Sequence, residues 1–166
     1  MERALDYYLV QDLEAAMGDI DMALQTGHES WDSYFIRAFV RYKMLETDRI
    51  NAADEIPVYL SKRNPELHDF DYRLVKADLD RVIELQPAFA EAYFNRANVS
   101  VKLKDFKAAI VDYTAAIDLN DRFAEAYYNR GLAKIRIGNT EGGTADLSRA
   151  GELGMYQAYS VIKRFR

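Results

Sequence analysis

The sequence predicts an all-α protein built from repeated pairs of antiparallel helices. Three observations support this fold class. The 166 residues repeat with a period of about 34 residues, only 3 Pro and 8 Gly interrupt the chain, and apolar residues recur at helical spacing within each repeat. Tyr93 and Tyr127 lie one period apart, as do Arg96 and Arg130. Self-similarity at such a period indicates a linear array of stacked units.

The composition excludes several classes of protein and of site. Apolar residues make up 49% and charged residues 30%, which is typical of a globular chain rather than a disordered one. The net charge of −5 gives no overall attraction to nucleic acid or to anionic lipid. Because Cys is absent, disulfides, thiolate nucleophiles and Cys-based metal sites are excluded. We expect a soluble protein without membrane insertion, either cytoplasmic or exported behind a leader that was removed.

Four repeats account for most of the chain. The third is the clearest, because one apolar stripe (Tyr93, Ala97, Val101) and a second (Phe106 and Tyr113 among others) flank a short turn. In the fourth, small or polar residues replace apolar ones, so its second helix is predicted to be the least stable. The repeats are predicted over residues 1–30, 31–89 (with an insertion at 46–70), 90–123 and 124–155, followed by a capping helix over 156–166.

The last two full repeats resemble the tetratricopeptide repeat (TPR) family. They begin AEAYFNRA and AEAYYNRG, and the third continues with DFKAAIVDYTAAI. The resemblance covers most of the chain outside the insertion and the tail, and the ending AGELGMYQAYSVIKRF looks bacterial. It implies a right-handed α-solenoid whose first helices line a concave groove. It also implies a non-catalytic module that binds a peptide or a partner protein there.

A repeated Arg and a repeated Asp predict structural ion pairs. The two are separated by the same number of residues in each repeat, apart from the insertion in the second, and this spacing brings them together across a helix pair. An Arg ladder for anions is the alternative, but partly buried Arg is normally paired. The residues predicted to form these pairs are Arg3, Asp19, Arg37, Asp78, Arg96, Asp112, Arg130 and Asp146.

By the same resemblance, an aromatic surface with two amides forms the partner-binding groove. Each of its rings could instead pack against a neighbouring repeat, and this alternative stays open. Basic residues near the helix ends favour an acidic partner, although complementarity to the helix dipole also explains them. The predicted groove residues are Phe35, Phe39, Tyr42, Phe94, Asn98, Tyr128, Asn129, Lys102 and Arg136.

Some family members clamp the C-terminal carboxylate of chaperones with Lys, Asn and Arg side chains. Asn98 and Asn129 match the two Asn, but Phe94 stands where a Lys is expected. We therefore expect no binding of chaperone C-termini.

No arrangement of residues predicts catalysis, a cofactor or a metal. The one loose group of metal-ligand types (Glu66, His68, Asp69, Asp71) lies at the end of the insertion and just after it, and its spacing matches no metal signature. We expect the insertion to extend the preceding helix through residues 51–53, with its apolar run 56–60 packed on the array or on a partner.

Two other functions remain open from the sequence. The chain could be a fragment of a longer repeat scaffold with an assembly or spacing role, and it would then self-associate through its N-terminal end face. It could also be a ligand-binding protein that uses the insertion as a lid.

Overall fold

The computed structural model describes residues 12–27, 29–55 and 65–165, with the side chains of 12–27, 29–46 and 71–165. Within these ranges the chain is all-α. It divides into two compact units, Met1–Pro87 and Ala88–Arg166. The helices are α1 (Leu13–Gln25), α2 (Trp31–Glu55) and α3 (Pro65–Leu85) in the first unit, and α4 (Ala90–Lys102), α5 (Phe106–Leu119), α6 (Ala124–Arg136), α7 (Thr140–Glu152) and α8 (Gln157–Ile162) in the second.

The first unit packs its helices around a small apolar core. Asp12 caps α1 by accepting a hydrogen bond of 3.0 Å from the amide of Ala15. Ala16 and Ile20 of α1 are fully buried against Val40 of α2. The α1 side of this core thus comes from residues one helical turn apart, as an amphipathic helix requires.

The insertion lengthens both helices of its pair. α2 has 25 residues and α3 has 21, whereas the four long helices of the second unit have 13 or 14. α2 runs through the expected residues 51–53, and α3 begins at Pro65, inside the predicted insertion. Proline suits the first position of a helix because its missing N–H has no partner there in any case. The apolar run 56–60 lies outside the described residues.

The second unit repeats one helix pair twice. α4 and α5 are joined by Leu103, Lys104 and Asp105, and α6 and α7 by the same three positions of the next repeat. Lys104 has a φ of 61° and Gly138 a φ of 91°, the left-handed backbone that this tight turn needs. The third turn position caps the following helix in both pairs, and Asp105 accepts a hydrogen bond of 3.0 Å from the amide of Ala108.

Tyr113 is the largest fully buried side chain of the second unit. Its ring lies among small, buried residues of α4 and α5 (Ala97, Ala109, Ala116). This alternation of large and small side chains lets the helices approach closely. The capping helix α8, within the predicted segment 156–166, covers the other end of the unit by packing Ala158 against Leu147 and Ala150 of α7.

The helices α6 and α7 touch at a pair of glycines. A Cβ built on Gly143 would lie 2.7 Å from the carbonyl oxygen of Gly131 and 2.5 Å from Cγ1 of Ile135. A Cβ on Gly131 would lie 2.8 Å from the carbonyl oxygen of Gly143. The two backbones are therefore too close to admit a methyl group at either position. Gly143 has a low helix propensity, but the close crossing of α6 and α7 requires a glycine at this position.

We expect Gly143→Ala to lower the free energy of unfolding by about 1–3 kcal/mol, because the added methyl group overpacks this crossing. Helix propensity alone predicts the opposite, a gain of about 1 kcal/mol. Gly18→Ala is the matched control, since it lies inside α1 with nothing within 4 Å of a new Cβ. Urea denaturation followed by circular dichroism checks both. Equal stabilisation by the two substitutions would contradict the close glycine contact.

Candidate functional site

The repeated Arg and Asp residues of the second unit form two-pronged ion pairs. Arg96 donates from Nε and Nη2 to the two carboxylate oxygens of Asp112, at 2.8 and 2.6 Å. Arg130 does the same to Asp146, at 2.8 Å for both bonds. Both carboxylates are buried. Since each guanidinium faces a carboxylate at this range, these Arg side chains are positioned by the protein itself.

An aromatic ring of the same helix lies against each of these guanidinium groups. The Cζ of Arg96 is 5.6 Å from the ring centre of Tyr93, and that of Arg130 is 5.4 Å from Tyr127. In cation–π contacts of this kind the face of the ring attracts the guanidinium. The three-residue spacing from Tyr to Arg places both on one face of the helix.

The first unit carries the same arrangement on α2 and α3. Arg37 donates to Asp78 from Nε at 3.1 Å and from Nη2 at 2.6 Å, and it lies over the ring of Tyr34 at 5.4 Å. Burial lowers the pKa of Arg37, but hydrogen bonds and attraction from Asp78, joined by Asp21, outweigh burial and leave it above its ordinary value. Arg3, predicted to pair with Asp19, lies outside the described residues.

A second cation joins the buried carboxylate in two of the repeats. Arg41 donates to Asp78 at 2.6 Å, and the ammonium group of Lys134 lies 2.8 Å from Asp146. The equivalent residue of the third repeat is Ser100, which is fully buried. Its hydroxyl oxygen has no hydrogen-bond partner within the described part of the chain. This position therefore carries a cation in the second and fourth repeats and a neutral side chain in the third.

The repeated Arg also links one repeat to the next. Nη1 of Arg130 donates to the hydroxyl of Thr114 on α5, at 3.0 Å. Nη1 of Arg37 donates to Asp21 on α1, at 3.2 Å. Thr114 and Asp21 each precede their Arg by the same interval, 16 residues. One Arg thus binds the second helix of its own repeat and that of the preceding repeat.

Five of the six predicted groove residues of the second unit lie in two helical stripes, and the sixth, Asn129, lies beside the second stripe. Phe94, Asn98 and Lys102 follow one another at intervals of four residues on α4. Tyr128 and Arg136 hold the equivalent ends of a stripe on α6, with the exposed Leu132 between them. Residues four apart share one face of a helix, so each stripe runs from a ring to a cation.

Phe94 belongs partly to the core. Its ring centre lies 4.7 Å from that of Phe123 and 5.8 Å from that of the buried Tyr113. Aromatic pairs at this range contribute to folding beyond their burial. Truncating Phe94 would therefore disturb packing as well as any bound partner, and Phe94 is a poor probe of the groove.

The two Asn residues are joined to each other. The Oδ1 atom of Asn98 accepts from the hydroxyl of Tyr113 at 2.6 Å and from Nδ2 of Asn129 at 3.0 Å. In the part of the chain that the structure describes, the Nδ2 of Asn98 and the Oδ1 of Asn129 carry no hydrogen bond within the protein. One donor and one acceptor are therefore left for a ligand. The sequence pattern identified both amides, but it carried no sign that they are linked.

In the first unit, the predicted groove residues lie on α2. Phe39 exposes 37% of its surface, and Nζ of Lys43 lies 5.6 Å from the centre of its ring. Phe35, one turn earlier, is half-buried. Tyr42 lies beside Tyr72 of α3, with 6.1 Å between ring centres. Phe39 is the most exposed of these rings.

Among the described residues, no group of three or more acidic or His side chains is placed to hold a metal ion. Of the loose group Glu66, His68, Asp69 and Asp71, only Asp71 has a described side chain. The helices in the described ranges include none long and apolar enough to cross a membrane. The N-terminal end face that could support self-association involves residues 1–11, which lie outside these ranges.

Repeated helix pairs held by equivalent Arg–Asp bonds define an α-helical repeat protein of the solenoid class. Residues 97–138 match the family model described as TPR repeat. The matched segment, about a quarter of the chain, is a tetratricopeptide repeat, as the sequence predicts.

Solved structures share this fold. The crystal structure of MamA is 16% identical, with a TM-score of 0.78 over 98% of this chain and 81% of that one. The first TPR of Spaghetti (RPAP3), bound to the HSP90 peptide SRMEEVD, is 24% identical, with a TM-score of 0.55 over 61% of this chain and 82% of that one. No curated protein matches the chain.

Proposed function

We propose that this chain is a non-catalytic interaction module that binds an extended peptide segment of a partner protein. The proposed site is the surface of α4 and α6 that carries the two stripes. The linked amides Asn98 and Asn129 are the observation that carries the proposal. An interaction role agrees with the TPR fold and with the peptide bound to the RPAP3 domain.

The linked amides suit the backbone of a peptide. Asn98 Oδ1 is occupied by two donors, which fixes the orientation of both side chains. The Nδ2 of Asn98 can then donate to a peptide carbonyl, and the Oδ1 of Asn129 can accept from a peptide amide. Because the protein holds both groups in place before binding, little side-chain entropy is lost on binding.

The charges of the stripes favour an acidic peptide. Lys102 and Arg136 end the two stripes, so each stripe presents a cation at the same end of its helix. The Cζ of Arg136 lies 5.9 Å from the ring centre of Phe106, which holds the guanidinium beside the stripe. Acidic side chains on a partner would complement these cations and raise the association rate.

The chaperone-type carboxylate clamp is not part of the proposal. A clamp would need a cation at position 94, where Phe94 instead packs against Phe123. The peptide SRMEEVD is therefore a useful negative probe. We expect calorimetry to detect no binding that depends on its C-terminal carboxylate, so the free acid and the C-terminal amide should give the same result.

Selection from a random peptide library against the whole chain tests the proposal. We expect enriched acidic peptides whose affinity falls about tenfold in Asn129→Ala, because one buried hydrogen bond contributes about 1 kcal/mol or slightly more. Lys102→Glu should weaken them further. Asn129 is preferred to Asn98 for this test, because loss of Asn98 would also leave the Tyr113 hydroxyl without its acceptor.

Val111→Ser is the matched control, since Val111 is 67% exposed on α5 and belongs to neither stripe. Peptides that bind the three variants and the parent chain equally well would overturn the proposed site. Circular dichroism of each variant separates lost binding from lost folding.

A further inference from the structure

The first unit contains an open cavity of about 290 Å³ between α1, α2 and α3. Its walls are mostly apolar and flexible, since Met17 and Met44 contribute to them together with two Leu. Asp21, Arg41 and Asp71 supply its charges. The cavity lies in the first unit, whereas the proposed peptide surface lies in the second.

The insertion creates this cavity. Three lining residues, Met44, Leu45 and Asp71, hold the sequence positions that form the tight turn 103–105 in the third repeat, as the alignment of the repeats shows. In the second repeat, α2 continues to Glu55 and α3 begins at Pro65, so these positions lie inside two long helices. Residues that elsewhere close a turn therefore line an open space.

Asp71 does not cap a helix, although the equivalent residues of the other repeats do. Asp12, Asp105 and Asn139 occupy the same position in the other repeats, and each caps a helix by accepting an amide hydrogen bond. Asp71 lies well inside α3, where the amides already bond to carbonyls of the helix. In the described part of the chain its carboxylate has neither an ion pair nor a hydrogen bond.

The neighbouring lining position also differs between repeats. Leu74 stands where the third and fourth repeats have Ala108 and Gly142, and it is 38% exposed. A large apolar side chain replaces small ones at the rim of the cavity. It provides apolar surface beside the carboxylate of Asp71.

The charges of the cavity are unbalanced. Asp21 accepts a hydrogen bond from Arg37, which also donates to Asp78. Arg41, the cation of the lining, already donates to Asp78 at 2.6 Å. Asp71 is left without a counter-charge, so the missing group is a cation that can also contact Met and Leu side chains.

We propose that this cavity binds an arginine side chain of a partner protein, flanked by an apolar residue. The guanidinium would pair with Asp71 in the fork geometry that carboxylates accept, and its three methylenes would lie along Met17, Met44 and Leu74. Methionine suits such a wall because its unbranched side chain adapts to an irregular ligand.

Methyl NMR of the whole chain labelled with ¹³Cε-methionine tests the proposal. The chain has 5 Met, of which Met17 and Met44 line the cavity, whereas Met22 and Met155 do not. The probe is N-acetyl-leucyl-arginine amide, and its citrulline analogue removes only the charge. We expect saturable shifts of the Met17 and Met44 signals with a dissociation constant on the order of 1 mM, at least tenfold weaker for citrulline.

Crossed variants complete the test. Asp71→Ala should abolish the arginine-dependent shifts while leaving the midpoint of thermal unfolding unchanged or higher. Asp105→Ala should keep the shifts and lower the midpoint, because it removes the cap of α5. Absence of the shifts in the parent chain, equal shifts with citrulline, or full binding by Asp71→Ala would each overturn the proposal.

Discussion

Ala109→Asp is expected to unfold the second unit at room temperature. Ala109 is fully buried beside Tyr113 in the core between α4 and α5. An aspartate there would place an unpaired carboxylate in an apolar site and overfill a close-packed contact. Burial of an unpaired charge costs several kcal/mol, which is comparable to the whole stability of a small domain. Far-UV circular dichroism and limited proteolysis would measure the loss of helix.

Val111→Asp is the matched control for this change. It introduces the same residue two positions further along α5, where the side chain is 67% exposed. We expect a change of no more than about 0.5 kcal/mol, as for most surface substitutions. If Ala109→Asp proved as stable as Val111→Asp, the packing of α4 on α5 described above would be wrong.

Asp146→Ala is expected to lower the free energy of unfolding by about 3–5 kcal/mol. Its carboxylate is buried and accepts from Arg130 at 2.8 Å, with Lys134 at the same distance. Removal leaves two partly buried cations without a counter-charge, which is the costly way to break an ion pair. Urea denaturation of the purified chain would measure the change.

Glu152→Ala breaks an exposed pair on the same helix, α7. Glu152 lies 3.0 Å from Arg149, and both side chains are about half exposed. Exposed pairs of this kind contribute between about 0 and 1 kcal/mol. Similar losses for Asp146→Ala and Glu152→Ala would contradict a structural role for the repeated Arg–Asp pairs.

The architecture of the repeats was predictable because it depends on local contacts. Arg96 and Asp112 are close in sequence, and their two helices are joined by a three-residue turn, so the spacing alone brings them together. The same reasoning held for Arg37 and Asp78 once the insertion was subtracted. The bond from Arg130 to Thr114 depends on how one repeat packs on the next, and the spacing within a repeat gives no sign of it.

The roles of Gly143, Phe94 and Asp71 could not be predicted for a different reason. Gly143 reads as a weak helix residue by propensity, but its function depends on the distance to the backbone of Gly131. Phe94 lies at the edge between core and surface, where a stripe pattern fits both. Asp71 resembles a capping residue by alignment, and only the early start of α3 at Pro65 shows that it cannot cap.

The arginine that reaches both its own repeat and the preceding one has a consequence for how the array opens. Arg130 holds α7 through Asp146 and α5 through Thr114, so opening of the fourth repeat also removes a partner from the third. In a linear array this makes the interface between neighbouring repeats more stabilising, relative to the intrinsic stability of each repeat. Fraying one repeat at a time is then disfavoured, and we expect α5, α6 and α7 to exchange their amide hydrogens as one cooperative unit.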